Sequence, residues 1–248
     1  MKRAFQLAVL LVFAAGTARA DVINTNNAAL ISAFQAGATV VTFESVTGVT
    51  PTTITSYTSG NPVPPAAFVF DQISGVQFSV GGAPGTNSPA LFSLSGGIAG
   101  DATSPSTVLG PVDFDFTTKF NNQALIEIFF PTKVSKVGFF LNPSLGNATI
   151  IAADTNFAFS KLTETTLETG TNVTAGNFVG IQRPTADIGG FKILAVGTNG
   201  FTIDNFTFGG GTTTPPSTVP EPATALLMFV GLVLAKLRLH SQSTTRIQ

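Results

Sequence analysis

The chain has no cysteine and no tryptophan, and its 248 residues include one tyrosine and one histidine. Without cysteine there can be no disulfide, no thiolate metal site and no thiol nucleophile. The histidine, His240, lies near the end of the sequence. The body therefore cannot assemble a histidine-dependent triad or a multi-histidine zinc site. Charge is also scarce, at 10% of residues against roughly 25% in a typical soluble domain. Thr, Ser, Asn and Gly take its place, and these favour strands, turns and loops over helices. Between residues 21 and 219, twelve acids face six bases, a net charge of −6 with no basic cluster. That balance argues against binding to a phosphate backbone.

What is present is phenylalanine, 23 in all, much of it at alternating positions. In Val112-Asp113-Phe114-Asp115-Phe116 the apolar residues share one face and both acids share the other. Short runs of this kind recur between Gly, Pro, Asn and Ser. They are Ala67–Ile73, Val76–Val80, Pro111–Thr117, Ala124–Phe130, Val134–Leu141, Thr149–Ala153, Phe157–Leu162, Asn177–Gln182, Phe191–Val196 and Phe201–Phe208. Thr39–Glu44 adds an early strand rich in β-branched residues. The pattern predicts an all-β protein, a single antiparallel β-sandwich or jelly roll. No 10 to 15-residue helical pattern follows the strands, which argues against a parallel α/β sheet. One short helix is expected within Asn26–Ala36, with an Asn cap and Gly37 as its stop, and with Ala29, Leu30, Ala33 and Phe34 on one face. In Phe201–Phe208 the alternation slips at Asp204-Asn205, which predicts a bulge. Residues 81–111, rich in Gly, Pro and Ser, read as a long loop with at most one short strand.

Both ends read as address rather than body. Residues 1–20 have the order of a secretory signal: basic Lys2 and Arg3, a short apolar run to Ala15, and the small-x-small site Ala18-Arg19-Ala20. Cleavage there would leave Asp21 as the first residue. Residues 21–210 form the sandwich domain, and 211–219 a Gly/Thr/Pro linker. Residues 220–248 form a tail. In it Pro220-Glu221-Pro222 precedes the apolar run Ala223–Ala235, and Lys236, Arg238 and Arg246 follow. The prolines hold Glu221 on an extended segment. The 13-residue run falls short of the ~20 that span a bilayer comfortably, although snorkelling of Lys236 and Arg238 can stretch it.

Val219-Pro220-Glu221-Pro222-Ala223-Thr224, the Leu-rich segment containing Gly231 and the basic end together resemble the PEP-CTERM sorting signal of exported bacterial proteins. The resemblance covers about 30 residues and implies several things. The partners would be the general secretory machinery and an exosortase-type processing enzyme acting at Pro220, Glu221 and Pro222. The C-terminal helix would hold the protein transiently in the inner membrane before it reaches the cell surface or the extracellular matrix. An association with exopolysaccharide and biofilm would follow. The body resembles, more loosely, the jelly-roll domains common among such proteins. That likeness rests on Thr42-Phe43-Glu44, Gly75–Ser79, Lys136–Phe140 and Gly200–Phe208.

Candidate chemistry in the body is thin. Glu44 follows the first main strand and Asp204 lies in the last, and these strands are neighbours in many jelly rolls. The pair is expected either to hold a structural Ca²⁺, a hard cation that takes 6 to 8 oxygens, or to cap turns and accept backbone N–H groups. Asp113 and Asp115 have the alternation of a solvated strand face rather than a glycosidase pair, and Glu127 is an isolated acid. Tyr57 and the 81–111 loop are the candidate contacts for a polysaccharide. Asn147-Ala148-Thr149, Asn172-Val173-Thr174 and Asn205-Phe206-Thr207 match the N-glycosylation pattern by chance composition. The expectation is a non-enzymatic exported surface or matrix protein with no catalytic residues. The alternatives are a polysaccharide-binding module and, behind it, a glycan hydrolase.

Overall fold

The computed structural model describes residues 20–57, 63–80, 88–112, 125–154, 165–196 and 200–210. The chain divides into two units, Met1–Thr212 and Thr213–Gln248, and every described residue belongs to the first. Residues 1–19 of the expected signal, the 211–219 linker and the 220–248 tail lie outside the described residues. Among the described residues no helix is long and apolar enough to cross a membrane.

In chain order the elements are β1 (Asp21–Thr25), α1 (Ala28–Gln35), β2 (Ala38–Val41), β3 (Thr52–Ile54), β4 (Gln77–Ser79), β5 (Ala90–Leu94), β6 (Thr107–Gly110), β7 (Ile126–Val134), β8 (Lys136–Leu141), β9 (Ala148–Asp154), β10 (Thr165–Val173), β11 (Phe178–Gln182), β12 (Ile188–Ala195) and β13 (Ile203–Gly209). They form an all-β sandwich of two sheets. One sheet has the order β1-β11-β8-β13-β6-β5-β3, with β2 also paired to β13; the other has the order β10-β9-β12-β7-β4. The pairs β6–β13, β7–β12, β8–β11 and β9–β10 nest inside one another and alternate between the sheets. This is the strand order of a jelly roll. One pair departs from the antiparallel expectation, since β3 runs parallel to β5. Between them the chain passes through β4 in the opposite sheet and returns in the same direction.

Phenylalanine holds the sheets together. Phe139 of β8 meets Phe191 of β12 edge to face at 6.1 Å, and Phe78 of β4 meets Phe206 of β13 at 5.5 Å. Each pair spans the sandwich, and all four rings are buried. Burying one such ring contributes about 1.5–3 kcal/mol, and edge-to-face contact adds about 0.5–1.5 kcal/mol.

Helix α1 lies on the outer face of the larger sheet. Asn27 caps it, its Oδ1 accepting the N–H groups of Ala29 at 3.0 Å and Leu30 at 3.3 Å. At the other end the buried Lys136 donates Nζ to the carbonyls of Phe34 and Ala36, each at 2.7 Å. Burial pulls this lysine's pKa below its ordinary value. Gly37 then turns the chain at φ +67°. The buried side chains are Ile31 and Phe34, whereas Leu30 is 55% exposed. The expected face, which included Ala29, Leu30 and Ala33, is therefore rotated. The reason is the floor beneath the helix. A Cβ on Gly138 or Gly180 would meet Phe34 at 2.9 or 3.0 Å, so these glycines leave room for that ring to lie against the sheet. There it stacks edge to face on Phe178 at 5.2 Å.

Several expected strands move. The 88–111 part of the expected loop is a hairpin of two core strands, β5 and β6, with Leu91, Phe92, Val108 and Leu109 fully buried. A strand buried on both faces has no alternation to read. Ala67–Ile73 is not a strand. A short 3-10 turn, Pro65–Ala67, leads to one isolated bridge between Phe68 and Ala90. The strand β10 was not anticipated, because its Thr, Glu and Asn lie on the outer edge of the smaller sheet. Residues 113–117 and Phe157–Leu162, with Asp113 and Asp115, lie outside the described residues.

Candidate functional site

The polar chemistry of the body gathers at the end of the sandwich where β8 terminates, beginning at a seam in β13. Ile203 pairs with Leu109 of β6, whereas Phe206–Gly209 pair with Val41–Ala38 of β2. Two strands thus share one edge of β13, end to end. At the change of partner the β13–β8 register shifts between Asp204 and Thr207, which is the bulge expected from the broken alternation. Asn205 sits there in the left-handed region at φ +47°, and Phe43, just past β2, does the same at φ +64°. Each such residue stores roughly 1–3 kcal/mol of strain that its surroundings must offset.

Asp204 and Glu44 stand at this seam, one beside each strained residue. The turn 103–107, which leads into β6, points its N–H groups at them. Asp204 Oδ2 accepts from Thr103 N at 2.8 Å and Ser104 N at 2.6 Å, and Oδ1 accepts from Asn205 N at 2.6 Å. Glu44 Oε1 accepts from Ser106 N at 2.9 Å and Thr107 N at 2.7 Å, and Oε2 accepts the Thr107 hydroxyl at 3.2 Å. The buried Ser104 Oγ lies between the acids, 3.0 Å from Glu44 Oε1, 2.8 Å from Asp204 Oδ1 and 2.9 Å from the Thr42 carbonyl. Burial alone would raise the Glu44 pKa. The bonds from Ser106, Thr107 and Ser104 outweigh it and hold the carboxyl below its ordinary value.

The structure therefore brings the two expected acids together. Their acceptor positions are filled mainly by N–H and hydroxyl donors from the turn into β6. The oxygens near Ser104 are of the right type for a hard cation. However, Glu44 Oε1 and Asp204 Oδ2 each already take two backbone N–H bonds. Among the described residues no group of three or more acidic, histidine or cysteine side chains is placed to hold a metal. This donor set suits neutralisation by N–H better than by Ca²⁺.

Four other acids are likewise engaged. Glu127, buried in β7, faces Lys192 of β12 in register, with N and O at 3.5 Å. Asp187 takes a two-pronged contact from Arg183 at 2.6 and 2.8 Å, and Lys133 pairs with Asp154. Asp101 accepts the Tyr57 hydroxyl at 3.1 Å and the Ser144 hydroxyl at 2.7 Å. Tyr57 also receives Asn142 Nδ2. Its pKa is pushed well above the ordinary value, first by burial and then by Asp101. Tyr57 thus spends its hydroxyl inside the protein, with its half-buried ring packed against the core. A shallow recess with no enclosed room for a water molecule lies between this network and the seam, lined by Asp101, Asn142, Thr202 and Asp204.

A second cluster is open to solvent. Asn24 of β1 donates to the Thr174 hydroxyl at 3.2 Å and accepts from Asn177 Nδ2 at 2.7 Å. Asn147 donates to Asn172 Oδ1 at 2.9 Å and accepts Ala175 N at 3.0 Å. Two of the three Asn-x-Thr patterns are absorbed here, as partners of one another. Of the remaining expected site residues, Ala20 precedes β1 and Asp21 is its exposed first residue. Ala18, Pro220, Glu221 and Pro222 lie outside the described residues. Ser104 and Thr107 were missed. Ser104-Pro105-Ser106 reads as a loop breaker, and nothing local marks its hydroxyl as the meeting point of residues 60 and 100 positions away.

No family model and no curated protein matches the chain. Solved structures do. The K2 cleaved adhesin domain of Lys-gingipain is 12% identical with a TM-score of 0.33, over 49% of this chain and 83% of that one. A structure of the CBM32-1, CBM32-2 and M60 catalytic domains of Clostridium perfringens ZmpB is 11% identical with a TM-score of 0.35, over 77% of this chain and 17% of that one. TmCBM61 in complex with β-1,4-galactotriose is 16% identical with a TM-score of 0.30, over 54% and 88%.

Proposed function

We propose that this chain is an exported bacterial surface or matrix protein whose β-sandwich works by contact and not by catalysis. It is delivered through the general secretory route, held briefly by its C-terminal segment, and processed near Pro220-Glu221-Pro222 by an exosortase-type enzyme. The order of signal, body, linker, Pro-Glu-Pro turn, apolar run and basic end supports the sorting half of this reading.

The observation that carries the other half is the commitment of six acids among the described residues. General acid–base or nucleophilic work needs a group free to gain or lose a proton within reach of a substrate. Glu44, Asp101, Glu127, Asp154, Asp187 and Asp204 instead hold turns, strand pairs and hydroxyls together. The body has no histidine or cysteine to replace them.

Mass analysis of the protein from its native cells tests the sorting. The expected termini are Asp21 and a residue close to Pro220-Glu221-Pro222. An intact tail reaching Gln248 in the membrane would contradict processing. A panel of chromogenic glycosides and esters tests the rest. The expected outcome is no turnover, and turnover lost in Asp113→Asn would establish a hydrolase instead.

A further inference from the structure

We propose that the open amide cluster of Asn24, Asn147, Asn172, Thr174 and Asn177 binds a neutral, hydroxyl-rich polysaccharide strand. This rests on the reading of the body as a contact module.

Three chain segments meet in this cluster. They are β1, the loop before β9, and the stretch from the end of β10 through the turn into β11. The bonds that join them connect residues 25 to 153 positions apart. The backbone holds the platform firm: Gly176 N reaches the Leu141 carbonyl at 2.9 Å, and Leu141 N reaches the Asn177 carbonyl at 3.0 Å. The amide bonds themselves lie at the surface, where water competes for every donor and acceptor, so they add little stability. Their effect is orientation. Each primary amide has two donors and a two-lone-pair acceptor. Asn24 Oδ1 is fully used, because it also accepts Thr174 N at 3.4 Å, whereas both Asn172 donors and the second donor of Asn177 are left for a ligand.

Asn172 is set at the irregularity of the β10–β9 register between Gly170 and Val173, in the left-handed region at φ +53° that asparagine adopts more readily than most side chains. At the margin Val196, 40% exposed, is held beside Asn147 by its N–H on the Asn147 carbonyl at 2.9 Å. It offers an apolar spot beside the amides.

The ligand class follows from the chemistry. The five residues carry no charge, so nothing in the cluster selects an ion. The body's net charge of −6 repels acidic polymers. A chain of hydroxyls matches oriented amides that both donate and accept. With no aromatic platform in the cluster, one site binds weakly, and a concentrated polymer is needed to reveal it.

The test is affinity electrophoresis of the full-length chain in mild detergent, through gels containing dextran, galactan, xylan or, as the acidic control, alginate. Retardation by at least one neutral polymer is expected, with none by alginate. Asn172→Gly removes the amide but keeps the backbone conformation, and Asn24→Ala removes a second anchor. Together they are expected to weaken retardation roughly tenfold, as the loss of two surface hydrogen bonds implies. Thr174→Val, which only swaps the hydroxyl for a methyl, is expected to act in the same direction. No retardation by any neutral polymer, retardation by alginate alone, or retardation unchanged in these variants would each overturn the proposal. The non-catalytic reading stands or falls separately, on the turnover panel.

Discussion

The seam at β13 and the amide cluster sit at the same end of the sandwich and use the same currency, hydrogen bonds from residues far apart in sequence. They differ in water. At the seam Asp204, Ser104 and Thr107 are buried, so the Ser104 and Thr107 N–H groups aimed at the carboxylates have no water to turn to. In the amide cluster Asn24, Asn172 and Thr174 are exposed, and water replaces any bond that breaks. A buried polar group left unpaired costs its full desolvation, whereas an exposed one costs little. Hence the seam is expected to govern stability and the amide cluster recognition.

The largest effect should come from Asp204→Ala. It strips the partner from the N–H groups of Thr103, Ser104 and Asn205 together, and the loss is expected to be about 2–4 kcal/mol. At roughly 2–4 °C per kcal/mol for a domain of this size, the melting midpoint falls by ~10 °C. Calorimetry on the variant measures this, and a fall of a degree or two would mean that water already fills the seam. Ser104→Ala ranks second, at about 1–3 kcal/mol, because Glu44 and Asp204 keep their backbone donors.

Third is pH. The folded Glu44 carboxyl lies below its ordinary value of 4.5. Its contribution is therefore complete above that pH and is lost as the pH falls through the folded value. Asp187 is lowered too: burial raises it, and Arg183 and Thr185 more than compensate. Stability is thus expected to decline below pH 4.5, with a shallower decline in Glu44→Gln. Identical profiles would remove Glu44 from the account. Fourth, melts with EDTA and with added Ca²⁺ should share one midpoint. A rise with Ca²⁺ that Asp204→Asn abolishes would restore a cation at the seam. The smallest effect is expected from Asn24→Ala and Asn172→Gly, each within about 0.5 kcal/mol of the parent, although both should alter polysaccharide retardation.

The same contrast shows what was legible before the structure. Alternation revealed the strands that bury one face, and the break in that alternation at Asp204-Asn205 located the bulge. Glu44 and Asp204 were singled out because the ends of a jelly roll are neighbours. The hairpin of β5 and β6 was hidden, since Leu91, Phe92, Val108 and Leu109 are buried without alternation. Ser104 was hidden for a different reason. Its role depends on being 2.8 Å from a residue 100 positions away, and no local pattern records such a distance. The amides were visible only as Asn-x-Thr triplets. Their convergence comes from the nested pairing of β1, β8, β10 and β11.

Amide hydrogen exchange at Thr103, Ser104, Ser106 and Thr107 tests the central claim most directly. These four N–H groups lie in or next to a surface turn, and three of them belong to no strand. If the carboxylates close the seam, all four exchange slowly. In Asp204→Ala, Thr103 and Ser104 become fast while Ser106 and Thr107, held by Glu44, stay protected. Fast exchange at all four in the unmodified protein would contradict the account.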